Sequence, residues 1–246
     1  MTKVAVITPT TGSKYLNKCL HSVSKQTYSN IEHYVVIDGP QYDTLARDIL
    51  VGYKDKTIIT LPHNTGAGGY NGHRIYGSIP YLIDADYVMF LDEDNWIEAG
   101  HVESLVRTIN EGNDWAFSLR KIYDSNDNFI CTDDCENLGL WPTCLSEQEL
   151  FVDVGAYFLP KAIAIQISPL WYRRARHPDE QPEVDRIIMQ VLLQYGFKYD
   201  TNGRYTLNYR VGNRSDSVQK DFFIWGNSMM EKKYPEGYPW RKQTTS

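Results

Sequence analysis

The sequence predicts a single α/β domain with a mixed, mainly parallel central sheet flanked by helices. Three observations carry that expectation. Strand-like and helix-like segments alternate through the first half of the 246 residues, the order that lays a parallel sheet between helical layers. The strand-like segments are short continuous apolar runs, as expected of strands covered on both faces. These runs stop abruptly in Pro, Gly or acidic residues, most sharply at Leu91-Asp92-Glu93-Asp94.

Val4-Ala5-Val6-Ile7 is the opening run, stopped by Pro9. Apolar residues then recur at helical spacing from Tyr15 to Gln26 (Tyr15, Cys19, Leu20, Val23), with Ser13 as the expected N-cap. His33–Ile37 reads as the next strand, ended by Asp38-Gly39-Pro40, and a helix follows over roughly 42–53 before the strand Thr57–Leu61. The Gly-rich turn Asn64-Thr65-Gly66-Ala67-Gly68-Gly69 leads into a helix ending near Ile83. Ala85–Phe90 is the strand that feeds Asp92, and a helix is expected from about Gly100 to Asn110.

The second half is less regular. Trp115–Arg120 and Leu150–Leu159 read as strands, Ile122–Cys131 as a hairpin around Asp-Ser-Asn-Asp-Asn, and Pro160 as the opening of a short helix. Residues 171–182 are polar and read as a loop. Glu183–Tyr195 is amphipathic, with Ile187, Ile188, Val191 and Leu192 on one stripe and Gly196 as its stop. Tyr205–Tyr209 alternates like a strand. From Lys232 onward the chain is rich in Pro, Lys and aromatics and reads as a lid or arm.

Composition narrows the function classes. The chain is 42% hydrophobic and 23% charged, long enough for a substantial core, and its net charge of −6 speaks against a general nucleic-acid binder. Eighteen Tyr and six Trp fill the core and also offer stacking surfaces for bases or sugars. The four cysteines form no CxxC pair; Cys131, Cys135 and Cys144 enclose Asp133 and Asp134, a conceivable metal site that reads better as unpaired cytosolic thiols. Met1-Thr2-Lys3-Val4 carries no signal region, and no run reaches ~18 apolar residues. The expectation is a cytoplasmic protein with no membrane span, in which the sequon Asn213-Arg214-Ser215 carries no meaning.

Asp92-Glu93-Asp94 concentrates negative charge at the carboxyl edge of the sheet, where open α/β sheets bind ligands. Adjacent carboxylates repel one another and stand together where a cation is bound, here a divalent metal carrying a phosphorylated ligand. Read alone, the same residues also suit a solvated turn or the cap of the following helix. Thr8-Pro9-Thr10-Thr11, Asp38-Gly39 and Asn64–Gly69 reach the same edge.

In their order and spacing these pieces resemble the GT-A fold glycosyltransferases, in particular the inverting group called family 2, over about residues 3–200. Val4–Thr11 looks like the opening strand V-I-I-P-T, although Thr10-Thr11-Gly12 replaces the usual aromatic residue and Asn. Tyr15-Leu16 with Leu20-His21-Ser22-Val23 and Gln26-Thr27-Tyr28 is similar to the helix L-x-x-S-I-x-x-Q-T-Y, and Val36-Ile37-Asp38-Gly39 to V-V-x-D-G. Asn64-Thr65-Gly66 with Asn71 is similar to N-x-G-x(4)-N, with His73 where Gly is usual, and Asp92-Glu93-Asp94 to D-x-D.

The resemblance implies a Rossmann-like GT-A domain over 1–231, divided into a nucleotide-sugar half (1–112) and an acceptor and catalytic half (113–231), then a tail over 232–246. It implies transfer of a sugar from a nucleoside diphosphate sugar, most often of UDP, to an acceptor hydroxyl with inversion and with Mn²⁺ or Mg²⁺. A metal bridging the phosphates neutralises the leaving charge. Asp94 is then the metal ligand and Asp92 reaches the ribose or a metal-bound water. Asp38 holds the base, though by itself it is an Asp-Gly turn closing a strand. Thr8, Pro9 and Thr10 line base and ribose through backbone atoms, or simply form a tight turn. Asn71 lies on the Gly-rich loop, with His73 and Arg74 one turn into its helix, either near the nucleotide or at the surface. Glu93 becomes the variable middle residue.

An inverting transfer also needs a general base. The family uses the Asp of an E-D pair opening a helix, with Gly eleven residues on; Asp185 stands eleven residues before Gly196, with Val184 in place of the Glu and Asp179, Glu180 and Glu183 as competitors. An Asp that complements the helix dipole is the plainer reading. Gly155-Ala156-Tyr157-Phe158 resembles the strand lining the acceptor cleft, and Asp153 is expected to orient the donor sugar or lie exposed at a strand edge. No His follows the last strand to complete a metal shell. Trp171, Arg173, Arg174 and Arg176 form the densest basic and aromatic patch. It suits an anionic acceptor (a lipid phosphate, a phosphorylated glycan, a modified base in DNA) or equally a solvated loop paired with Asp179 and Glu180. Two rivals stand beside this reading: a nucleotidyltransferase, whose basic Gly-rich loop Thr8–Lys14 lacks, and an inactive sugar-nucleotide-binding protein.

Overall fold

The computed structural model describes residues 1–173, 184–213 and 217–241. Strands Val4–Thr10 (β1), Ile31–Ile37 (β2), Thr57–Thr60 (β3) and Tyr87–Phe90 (β4) pair in parallel in the order β3-β2-β1-β4. The sheet then continues through Trp96–Ile97 (β5), Trp115–Tyr123 (β6), Phe129–Thr132 (β7), Tyr157–Pro160 (β8) and Tyr199–Arg210 (β9). Their order beyond β4 is β8-β6-β9-β5, with β7 hairpinned onto β6. β8 runs antiparallel to both β4 and β6, whereas β9 lies parallel to β6 along most of its length. The expected mixed, mainly parallel α/β architecture is what forms.

Register places the site. Ile7 lies opposite both Tyr34 and Phe90, and Thr10 opposite Ile37, so β1, β2 and β4 finish side by side. The chain leaves all three at one edge, through Thr11–Ser13, Asp38-Gly39 and Leu91–Asp94.

Helices Leu16–Ser24 (α1) and Asp43–Leu50 (α2) cover one face of β2, with Leu16, Leu20, Ala46 and Leu50 buried against Val35 and Ile37. Tyr34 and Val36, which alternate with them, face the main core on the other side. That core takes helices His73–Ser78 (α3), His101–Asn110 (α4), Lys161–Gln166 (α5), Val184–Gln194 (α6) and Lys220–Lys233 (α7).

Several local expectations needed revision. Ser13 does not cap α1, whose preceding residue is Tyr15; the Ser13 hydroxyl accepts the Tyr15 N–H one turn early. The strand expected from Leu150 begins only at Tyr157, because the Asp153 carboxylate accepts the Gly155 N–H and turns the chain through a short 3-10 segment, Val154–Ala156. Nor is the segment after Lys232 a free arm as far as residue 241. Its start lies within α7, and Trp240 is fully buried, stacked on Tyr238 and donating its indole N–H to Asp134 at 2.7 Å. Arg241 adds an ion pair to the same carboxylate. The four cysteines are free thiols, and among the described residues no cluster of three His, Cys, Asp or Glu is placed to hold a metal. Cys131, Cys135 and Cys144 are accordingly not gathered into such a cluster. Among the same residues no helix is long and apolar enough to cross a membrane.

Candidate active site

The acidic turn after β4 sends its three carboxylates in three directions. Asp92 accepts a hydrogen bond from the Tyr76 hydroxyl on α3. Burial first, then the Asp92 charge and this bond, push the Tyr76 phenol well above its ordinary pKa, so it stays a donor. Asp94 accepts from the side-chain amide of Asn213, just past β9, and its carbonyl accepts from Arg210 Nε at 3.0 Å. Arg210 is itself buried, lies over the Tyr15 ring and pairs with Asp127 in the β6–β7 turn. Asn213 thus occupies the ground where the family resemblance sought a His, and neither it nor Arg210 or Tyr76 was given a role from the sequence. No local pattern marks them, since each partner lies far along the chain.

Glu93 corrects its reading as a variable middle residue. One carboxylate oxygen accepts the Thr11 N–H at 3.1 Å and the Thr11 hydroxyl at 2.9 Å; the other accepts the Ser13 N–H at 2.9 Å and the Thr10 hydroxyl. It clamps the whole β1–α1 connection.

Asp38 does the same for the Gly-rich loop. Its oxygens accept the Thr65 N–H at 2.7 Å, the Thr65 hydroxyl at 2.8 Å and the Gly66 N–H at 2.8 Å. Three of its four lone-pair sites are thereby filled, which leaves at most one for a base. A Cβ on Gly66 would stand 2.4 Å from the Asn71 carbonyl oxygen and 2.9 Å from Asp38, so only glycine fits. Asn71 closes the loop in the left-handed region at φ 49° with its side chain exposed. Gly66→Ala is expected to cost about 1–3 kcal/mol through overpacking, read as a lower urea midpoint; an unchanged midpoint would show that the loop relaxes freely.

The other expected donor contacts are buried. Thr8 is inaccessible, with its hydroxyl 2.9 Å from His33 Nε2 inside the sheet. Pro9 is buried under Gly72, and Thr10 is buried with its carbonyl accepting the Asp38 N–H. Asp153 is not an exposed or donor-facing carboxylate: it is buried, with one oxygen on the Gly155 N–H and the other 2.6 Å from Arg120. Trp171, expected on the acceptor side, is a core residue packed edge-on to Tyr76 and Phe90 at 5.6 and 5.7 Å. Arg173 is exposed. Arg174 and Arg176, with Asp179, Glu180 and Glu183, lie outside the described residues. Beside Trp171, Arg74 packs between Tyr70 and Tyr172, 3.6 and 4.8 Å from their ring centres.

Behind the site sits a buried ionic cluster. Arg120 contacts Asp133, Glu136 and Asp153, each at 2.6 Å. Burial works against its charge, but the three carboxylates more than offset this and hold the guanidinium protonated. Burial raises Glu136 to about 7 despite Arg120, with Asp133 adding to the rise. Arg186 continues the network to Glu136 and Glu149. It follows Asp185, whose Oδ1 accepts the Arg186 N–H at the start of α6. The cluster therefore fixes the turn that carries Asp185.

Electrostatics join these parts. The Tyr209 phenol is raised by burial and then by Asp153, Asp94 and Asp92, with Arg120 opposing. Tyr157 is raised by burial and then by Asp185 and Asp153. These two buried phenols thus feel the negative charge of the acidic turn, of Asp153 and of Asp185.

The chain and its fold have counterparts among known proteins. The sequence model of the family described as "Glycosyl transferase family 2" matches residues 5–144, more than half of the chain. The chain belongs to this family. As a glycosyltransferase it is similar to "Glycosyltransferase GlyA" of Streptococcus pneumoniae serotype 4, with 33% identity over 119 residues, 44% of this chain and 15% of that protein. Its fold is similar to the crystal structure of S. aureus TarS 1–349, at TM-score 0.58 and 17% identity, covering 85% of this chain and 60% of that one. The complex of TarS 1–349 with UDP-GlcNAc superposes at TM-score 0.60 and 15% identity, over 89% and 60% of the two chains. The glycosyltransferase described here thus spans only a fraction of the length of these relatives, and the GT-A fold expected from its motifs is the one it adopts.

Proposed function

We propose that this glycosyltransferase moves a sugar from a UDP-linked donor to an acceptor hydroxyl with inversion, using a divalent metal at Asp92 and Asp94 and Asp185 as general base. The observation that carries the reading is the convergence of the Asp92–Asp94 turn, the Glu93-clamped loop and the Asp38-clamped loop at one sheet edge. The UDP-GlcNAc complex of a protein with this fold supports the choice of donor.

The donor set fits Mn²⁺ or Mg²⁺: Asp92 and Asp94 offer hard carboxylate oxygens, and no thiol lies among them. When bound, such an ion neutralises charge on the departing diphosphate. The chain's own residues do the rest. Tyr76 and Asn213 orient the two carboxylates, and Arg210 fixes the backbone of Asp94. Asp38 shapes the Gly-rich loop against the nucleotide. Asp185 takes the proton from the attacking hydroxyl. The acceptor is a glycan, a lipid-linked sugar or another hydroxyl compound, with the exposed Arg173 and Tyr172 suited to an anionic one.

The test is thermal stabilisation and sugar transfer with UDP-, GDP- and dTDP-sugars, with and without Mn²⁺. A bound donor at a hundredfold its Kd stabilises by about 2.7 kcal/mol. The UDP-sugar shift is expected to grow with Mn²⁺, and Asp94→Ala is expected to remove that increment. The same Mn²⁺ increment in wild type and Asp94→Ala would refute the metal role, and a shift with GDP- or dTDP-sugars alone would refute UDP.

A further inference from the structure

Glu93 stands between the two carboxylates assigned to the metal, yet every acceptor site on it is taken. A carboxylate offers about four lone-pair directions, and the Thr10 hydroxyl, the Thr11 N–H, the Thr11 hydroxyl and the Ser13 N–H fill them. All four donors belong to the connection between β1 and α1. Its far end is tied to α1 by the Ser13 hydroxyl and carbonyl, which accept the Tyr15 and Leu16 N–H groups, and between them Gly12 sits at φ 78°, its N–H bonded to the Thr10 hydroxyl at 2.9 Å. The Thr10 carbonyl in turn accepts the Asp38 N–H, which ties the clamp to the second loop. Glu93 is thus joined through the backbone to Asp92 and Asp94, and through hydrogen bonds to the loop beside Asp38.

We propose that Glu93 is a positioning residue that holds the exposed Thr11 and the half-buried Ser13 as the ledge on which the donor's nucleoside rests, with the buried Thr10 as its anchor, and that it takes no part in binding the metal. The proposal rests on the UDP-sugar reading given above. Hydrogen bonds to a carboxylate are about twice as strong as neutral ones, so four of them hold the loop in its bound shape before the ligand arrives, sparing the ordering cost on binding. Because the ledge touches a part of the donor remote from the reacting centre, its loss weakens ground state and transition state alike. That signature is a raised KM with an unchanged kcat.

The experiment compares wild type, Glu93→Gln and Glu93→Ala. Gln keeps one acceptor oxygen but turns an NH2 toward the other pair of donors, so its effect should lie between the two. Without ligand, amide exchange at Thr11 and Ser13 is expected to quicken in Ala more than in Gln, while the thermal midpoint shows the fold intact. Uridine, which has no phosphate to engage a metal, is expected to bind about tenfold more weakly to Glu93→Ala, equivalent to ~1.4 kcal/mol, with KM for the donor rising by a similar factor. Unchanged exchange at Thr11 and Ser13 overturns the clamp. Unchanged uridine affinity, or a shifted Mn²⁺ requirement in its place, overturns the ledge and makes Glu93 a metal group. If wild type itself binds neither uridine nor any nucleotide sugar, the donor reading fails, and the ledge with it. Should wild type bind and both variants bind equally well, this proposal alone fails.

Discussion

Replacing Asp185 by Asn is expected to lower kcat by about 10²–10⁴-fold, the usual contribution of a positioned general base, while donor affinity and stability hold. The choice of Asn matters. It is nearly isosteric, its amide oxygen can still accept the Arg186 N–H, and only the charge at the helix start is lost, worth about 0.3–1 kcal/mol of stability, so a purely structural Asp185 would leave the rate unchanged. Arg186 keeps its bonds to Glu136 and Glu149 in the variant, and the first turn of α6 stays where the cluster holds it. Measuring kcat and KM for transfer beside a urea melt separates the cases. A wild-type rate in Asp185→Asn would move the base assignment elsewhere, with Asp179, Glu180 and Glu183 as the next carboxylates to substitute.

Arg120→Ala is expected to cost about 3–5 kcal/mol, the cost of breaking a buried ion pair from one side, and more if the three contacts act together. In the intact protein, burial would raise the Asp133 carboxyl, but the Arg120 charge and the N–H groups of Cys135 and Asn137 bring it below its ordinary value. Remove the guanidinium and Asp133, Glu136 and Asp153 face one another, with Arg186 still paired to Glu136. Their folded pKa values then rise above the unfolded ones, so the folded state binds more protons and stability falls as pH rises through that window. The deficit of Arg120→Ala relative to wild type should therefore be smaller near pH ~5 than near pH ~8. Chemical denaturation at the two pH values decides it. An equal deficit at both would mean that the loss is one of packing against Tyr209 and Phe223, not of charge.

How far these features were legible follows from where their partners lie. β1, β2 and β4 announce themselves because Val4–Ile7, His33–Ile37 and Tyr87–Phe90 carry their own apolar signal. The edge at which they end follows from the parallel strands that βαβ connections impose, so the meeting of Asp38, Asn64–Gly69 and Asp92–Asp94 was readable too. Partner choice was not. Glu93 bonds residues about eighty positions earlier, and nothing in Asp-Glu-Asp says which carboxylate turns inward. Asp153 reads as a strand-edge residue until Arg120, from β6, is seen to claim it. Trp171 belongs to a polar, Arg-rich stretch by sequence, and to the Tyr76–Phe90 core by packing. Residues 220–233 give only a weak stripe, Phe223, Gly226 and Met230, which is why α7 and the docking of Trp240 beyond it went unread.

One consequence concerns evolution rather than chemistry. β9 runs for twelve residues, and its last two face opposite ways: Tyr209 lies against Arg120, whereas Arg210 reaches the carbonyl of Asp94. A strand has a period of two, so adding or deleting a single residue beyond Leu207, where the pairing with β6 runs without a bulge, would swap the pair. A phenol would arrive where a guanidinium steadies the acidic turn, and a guanidinium where the ionic cluster already has its own. Descendants of this sequence can lengthen exposed surface loops by steps, but the end of β9 from Leu207 to Arg210 is open to change only by replacement at fixed length.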